Sequence, residues 1–215
     1  MKFPLFLLAM LCLFISADAQ VQFGAKAVYG TSFTQASTKE FVDVTGRKIY
    51  NLSFDSNESR KGIGLSLFAQ NELLFLNLDG LYTTTGRNFT LLSASLNRSP
   101  LDPGLLFSTA ENNVRLVANA GVKLGKLKLG VGPEISLTTS QTEDLSSLEN
   151  FEKNETSFTT GFNFMAGYII NKHLHLDLRY TYITQDVSDG YTFQGIPLDM
   201  RKNAKFLELG LAAYF

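Results

Sequence analysis

Apolar and polar residues alternate with a period of two along eight stretches of this chain. They are Val21–Phe33, Lys61–Gln70, Leu73–Thr84, Asn113–Leu124, Leu127–Thr138, Thr156–Ile170, His173–Gln185 and Asn203–Phe215. A period of two is the signature of a β-strand with two unlike faces, and each stretch reaches the roughly 9–11 residues that a tilted strand needs to cross a bilayer. The connections alternate too. Asn71-Glu72, Gly125-Lys126 and Asn171-Lys172 are tight turns, whereas Thr34–Arg60, Thr85–Asn112, Thr139–Glu155 and Asp186–Lys202 are long and rich in Asn, Ser, Thr and Asp. The pattern predicts an all-β fold: an eight-stranded antiparallel up-and-down transmembrane β-barrel with short periplasmic turns and long extracellular loops.

Sorting the strands by face sharpens this prediction. One face carries rows such as Phe23, Ala25, Ala27 and Tyr29, then Ile63, Leu65, Leu67 and Ala69, and finally Leu207, Leu209, Leu211 and Phe215. These rows hold no acidic or basic residue. The opposite face carries Lys26, Asp79, Arg115, Lys123, Lys128, Glu134, His175, Asp177, Arg179 and Glu208, with glycines at 24, 62, 64, 121, 130, 132, 161 and 210. A lipocalin-like barrel would hide the apolar face. Glycine is costly in a strand that faces water, but inside a narrow barrel it leaves room for long side chains. Aromatic residues also gather near the strand ends of the apolar face, as two interfacial girdles would. The charged face is therefore expected to point inward, with Lys26, Asp79, Arg115, Glu134, Asp177, Arg179 and Glu208 forming a lumenal polar network. Eight strands enclose little more than side chains and buried charges must be paired, so packing is the expectation rather than a selectivity ring. Arg179 is expected to reach Glu208 and also Glu134.

The first nineteen residues read as a cleaved signal peptide. Lys2 is followed by the apolar stretch Phe3–Ile15 and by Ala17-Asp18-Ala19, an A-x-A cleavage site, so the barrel domain is expected to span residues 20–215. Cys12 lies inside the signal, leaving no thiol for a disulfide or metal site. With a net charge of −1 the chain offers nothing to nucleic acid. The predicted address is the bacterial outer membrane.

Several motifs carry a resemblance. Asp79-Gly80-Leu81-Tyr82-Thr83-Thr84-Thr85-Gly86, Gly130-Val131-Gly132-Pro133-Glu134, Asp177-Leu178-Arg179-Tyr180 and the terminal Tyr214-Phe215 resemble the PorT-like outer-membrane β-barrel family of the Bacteroidota. The resemblance implies a barrel fold over nearly all of residues 20–215. A terminal aromatic such as Phe215 looks like the assembly signal read by the barrel-assembly machinery.

Chemistry beyond packing is sparse. A lipid-modifying site would need His, Ser and an acid near the loop end, but His173 and His175 adjoin the tight turn Asn171-Lys172. The spacing of His173 and His175 puts both rings on one side of a strand, with Asp177 the one further candidate ligand, so an interfacial polar pair is expected rather than a metal site. Gly130-Val131-Gly132 lacks the helix a phosphate loop requires. Asn51, Asn57, Asn88, Asn97 and Asn154 begin N-x-S/T sequons that read as chance matches in Asn- and Ser-rich loops. No enzyme, cofactor or metal is expected. The expected role is structural or interactive, with the long loops as binding surface; the alternatives are a narrow channel for small solutes or ions and a soluble lipocalin-like carrier. Expected partners are outer-membrane lipid and lipopolysaccharide, the barrel-assembly machinery, and an extracellular or envelope protein met through the loops.

Overall fold

The fold was analysed in a computed structural model, which describes residues 20–32, 37–42, 49–96, 99–101, 106–144, 151–153, 158–186, 191–193, 196–198 and 205–215. The predicted signal peptide, residues 1–19, lies outside the described residues. Eight long strands make the barrel: β1 Gln20–Ser32, β2 Ile49–Gln70, β3 Leu74–Leu96, β4 Leu106–Leu124, β5 Leu127–Asp144, β6 Phe158–Ile169, β7 Leu174–Asp186 and β8 Lys205–Tyr214. Each pairs antiparallel with its neighbours in sequence. The ladder from Gly24↔Tyr214 to Ser32↔Phe206 joins β1 to β8 and closes the sheet. Closure leaves no free edge around the barrel, which a bilayer requires of a sheet that crosses it.

The turns follow from their residues. Asn71 Oδ1 accepts the backbone N–H groups of Leu73 and Leu74 at 3.0 and 2.7 Å, and Asn171 Oδ1 accepts those of His173 and Leu174 at 2.8 and 3.0 Å. Such side-chain closure is why Asn favours these positions. The third turn uses Gly125 at φ 63°, a conformation that costs other residues.

The outer surface carries large apolar side chains in the open, Leu65 at 73% and Ile63 at 68% exposure among them. Charge enters the outward rows at their loop-side margin, where Lys61 and Lys205 are exposed. Ala69 and Leu76 also belong to outward rows but are buried, because they pack on each other and on Leu78 and Ala120.

The predicted loops are corrected in one respect. Much of Thr34–Arg60 and Thr85–Asn112 is strand. The β2–β3 ladder runs from Gln70↔Phe75 out to Tyr50↔Leu96, the β3–β4 ladder to Thr90↔Leu106 and the β4–β5 ladder to Ser108↔Asp144. Beside them, Ser37–Val42 pairs with β2 and Ser99–Leu101 with β3. By contrast, β1 ends at Ser32 and the β5–β6 ladder at Leu137↔Phe158. One side of the barrel therefore rises as a tall wall. From Lys61 to Ile49 it gains roughly 40 Å along the strand, at about 3.3 Å per residue. Phe151–Lys153, Tyr191–Phe193 and Ile196–Leu198 form a separate three-stranded sheet within the remaining two loops.

Candidate functional site: a filled lumen

Inward positions of all eight strands converge on the barrel axis, and the lumen is layered. At the turn end Phe68, Phe75, Met165, Ala212 and Tyr214 form a buried apolar floor. His175 meets Phe68 edge-on at 4.8 Å between centroids, and Lys128 Nζ lies 4.8 Å above the Phe68 ring, a cation–π distance. The glycines make this packing possible. A Cβ on Gly130 would lie 2.7 Å from Phe75 Cζ, and one on Gly24 the same distance from Tyr214 Cδ1.

Above the floor sits a first ion-pair cluster. Lys26 Nζ lies 2.9 Å from Asp79 Oδ2 and 2.6 Å from Asp177 Oδ2, while Lys128 Nζ lies 3.0 Å from Asp177 Oδ1. Arg179 Nη2 donates to Asp79 Oδ2. Asp79 Oδ1 also accepts from Ser66 Oγ at 2.6 Å and Asn77 Nδ2 at 2.8 Å, and the Tyr214 hydroxyl joins both of these side chains. Nearer the loops is a second cluster. Arg115 bridges Glu208 at 2.7 Å and Glu134 at 2.8 Å. Glu134 also receives Arg60 at 3.3 Å and the Thr181 hydroxyl at 3.1 Å, and the Arg60 guanidinium stacks 3.9 Å from the centre of the Phe206 ring. Arg179 Nη1 links the clusters through Glu208 Oε1 at 3.8 Å.

All seven lumenal residues named from the sequence are thus brought together, none more than 2% exposed. The expected Arg179–Glu208 pair is present at 3.8 Å, whereas the expected reach to Glu134 is not. Arg179 takes Asp79 as its close partner, with Glu208 more distant, and Glu134 belongs to Arg115 and Arg60. β3 and β7 stand four strands apart in the closed ring of eight, so their inward side chains meet across the lumen. The two histidines also part. His173 lies in the turn, its Nδ1 2.9 Å from the Tyr214 carbonyl oxygen, whereas His175 is buried in the lumen. The strand begins only at Leu174, so the alternation that would align them does not reach His173. No group of three or more His, Cys, Asp or Glu suited to a metal occurs among the described residues.

Sequence reasoning passed over Arg60, Glu58 and Glu111, all buried in the lumen, because they fall in segments read as loops. The signal was available. Glu58 and Arg60 continue the period-two row of Gly62, Gly64 and Ser66 upstream of Lys61. Alternation places Lys128 and His175 inward as well, and they extend the network through the Lys128 contacts to Asp177 and His175.

No family model matches this chain, and no curated protein matches it. Solved structures are similar over nearly its whole length. The outer membrane protein OprG of Pseudomonas aeruginosa is 11% identical, covers 90% of this chain and 95% of its own, and superposes at a TM-score of 0.47. Ail, the attachment invasion locus protein of Yersinia pestis, is 12% identical, covers 91% and 99%, and gives 0.42. The outer membrane protease OmpT of Escherichia coli is 9% identical, covers 91% and 93%, and gives 0.32. At such distances these likenesses add nothing to the barrel already established by the strand ladders.

Proposed function

We propose that this chain is an outer-membrane β-barrel protein of structural or interactive role, PorT-like by sequence, whose working surface is the loop side of the barrel. The observation that carries the reading is the filled lumen. Lys26, Arg60, Arg115, Lys128 and Arg179 are each within ion-pair distance of Asp79, Glu134, Asp177 or Glu208, and an aromatic floor lies beneath them. Charges paired with each other and buried fill the described lumen, so the interior serves as a core rather than a passage. Support for the membrane address comes from the open apolar rows: a contiguous belt of this size would drive a soluble protein to aggregate.

Planar-bilayer recording tests the proposal. The purified protein should give no steady, reproducible openings. Such openings from the wild-type barrel, with ion selectivity altered by Glu134→Gln, would replace this reading with the narrow channel.

A further inference from the structure

The outward face of the barrel wall changes character within one pair of residues. Up to Tyr82 on β3, Val114 on β4 and Leu137 on β5 it is apolar and exposed. Immediately above, Thr84 Oγ1 donates to Asn112 Oδ1 at 2.8 Å and Asn112 Nδ2 donates to Ser140 Oγ at 2.9 Å, a hydrogen-bonded ladder across three strands. Lys61 stands at the β2 end of this row, paired in register with Thr84. Higher up the wall, the register places Asn57, Asn88 and Ser108 in one row and Ser53 with Ser93 in another.

We propose that this face, at the Thr84–Asn112–Ser140 ladder, binds the uncharged sugar headgroup of a glycolipid in the outer leaflet. The proposal rests on the outer-membrane reading. Three observations select the occupant. The ladder lies on the same strands and the same face as the lipid-facing rows, so it meets whatever continues from the acyl chains. Hydroxyls and amides both donate and accept, which matches a sugar's many hydroxyls. A phosphate-binding surface would instead concentrate Arg and Lys, and among the described residues Lys61 is the one cation beside the ladder.

The test uses the full barrel in nanodiscs of phosphatidylcholine containing either digalactosyl diacylglycerol, a neutral sugar lipid, or phosphatidylglycerol, an anionic one. Lipid retained by the protein after release from the disc is quantified by mass spectrometry. The galactolipid should be retained several-fold above its share of the disc. The triple variant Thr84→Val, Asn112→Leu, Ser140→Ala should lose that enrichment while keeping the shifted gel mobility of a folded barrel. Lys61→Met should retain it. Preferential retention of phosphatidylglycerol, loss of galactolipid with Lys61→Met, or unchanged enrichment in the triple variant would each overturn the proposal. Fractionation of the wild-type protein in cells tests the membrane address separately.

Discussion

At the scale of single residues, the lumen is a set of charges that survive burial only in company. Arg179 is the member on which two clusters depend, through Asp79 and Glu208. Truncation to Arg179→Ala removes one of the two cations that hold Asp79, Lys26 being the other, and breaking a buried ion pair by removing one partner costs about 3–5 kcal/mol. The urea midpoint of the folded barrel should fall accordingly. Adding Asp79→Asn should restore more than adding Glu208→Gln, because Arg179 donates directly to Asp79 and stands 3.8 Å from Glu208. Equal rescue by the two would contradict the geometry. Gly130→Ala examines the floor: its new methyl group meets Phe75, and overpacking of that kind costs about 1–3 kcal/mol. The membership of this network was legible in the sequence, since alternation alone assigns Lys26, Asp79 and Arg179 to one face. The partnerships were not. They depend on how far each strand is displaced along its neighbour, a quantity fixed only when the sheet closes.

Individual strands carry two separate instructions, one for position and one for lipid. On β5, Leu129 is exposed among the outward residues. Leu129→Arg should destabilise the barrel by roughly 2–4 kcal/mol if it sits near mid-bilayer, whereas Lys61→Leu at the rim should leave the urea midpoint nearly unchanged. Just past β8, Phe215 is 84% exposed and its backbone N–H donates to the Phe23 carbonyl oxygen at 2.9 Å. Deleting Phe215 should therefore lower the amount of folded protein in cells far more than it lowers stability in detergent; parallel losses would argue against an assembly role. Strand positions within the apolar belt were readable because one face is uniformly apolar. The upper halves of β2 and β3 were hidden for the opposite reason. Segments such as Asn57-Glu58-Ser59 and Thr85-Gly86-Arg87-Asn88 have a loop-like composition, and what makes them strands is a ladder with a partner distant in sequence.

The whole molecule is a closed meander with an interior packed by charged side chains, an apolar girth and one raised wall. Such a body should migrate differently on a gel before and after boiling and should sediment with outer membranes. Recovery of a stable monomer from the soluble periplasm without detergent would defeat the membrane reading and restore the soluble carrier. The register between β1 and β8 has a further implication. Phe23 and Phe215 are hydrogen-bonded neighbours, so in three dimensions the barrel is a ring and its two ends are an arbitrary cut. A chain with residues 20 and 215 joined through a short linker and reopened between Gly125 and Lys126 should still fold in detergent, since every ladder but one turn is preserved. In a cell the same permuted chain would have lost its terminal aromatic. Shape belongs to the ring, whereas delivery belongs to the place where the ring is opened.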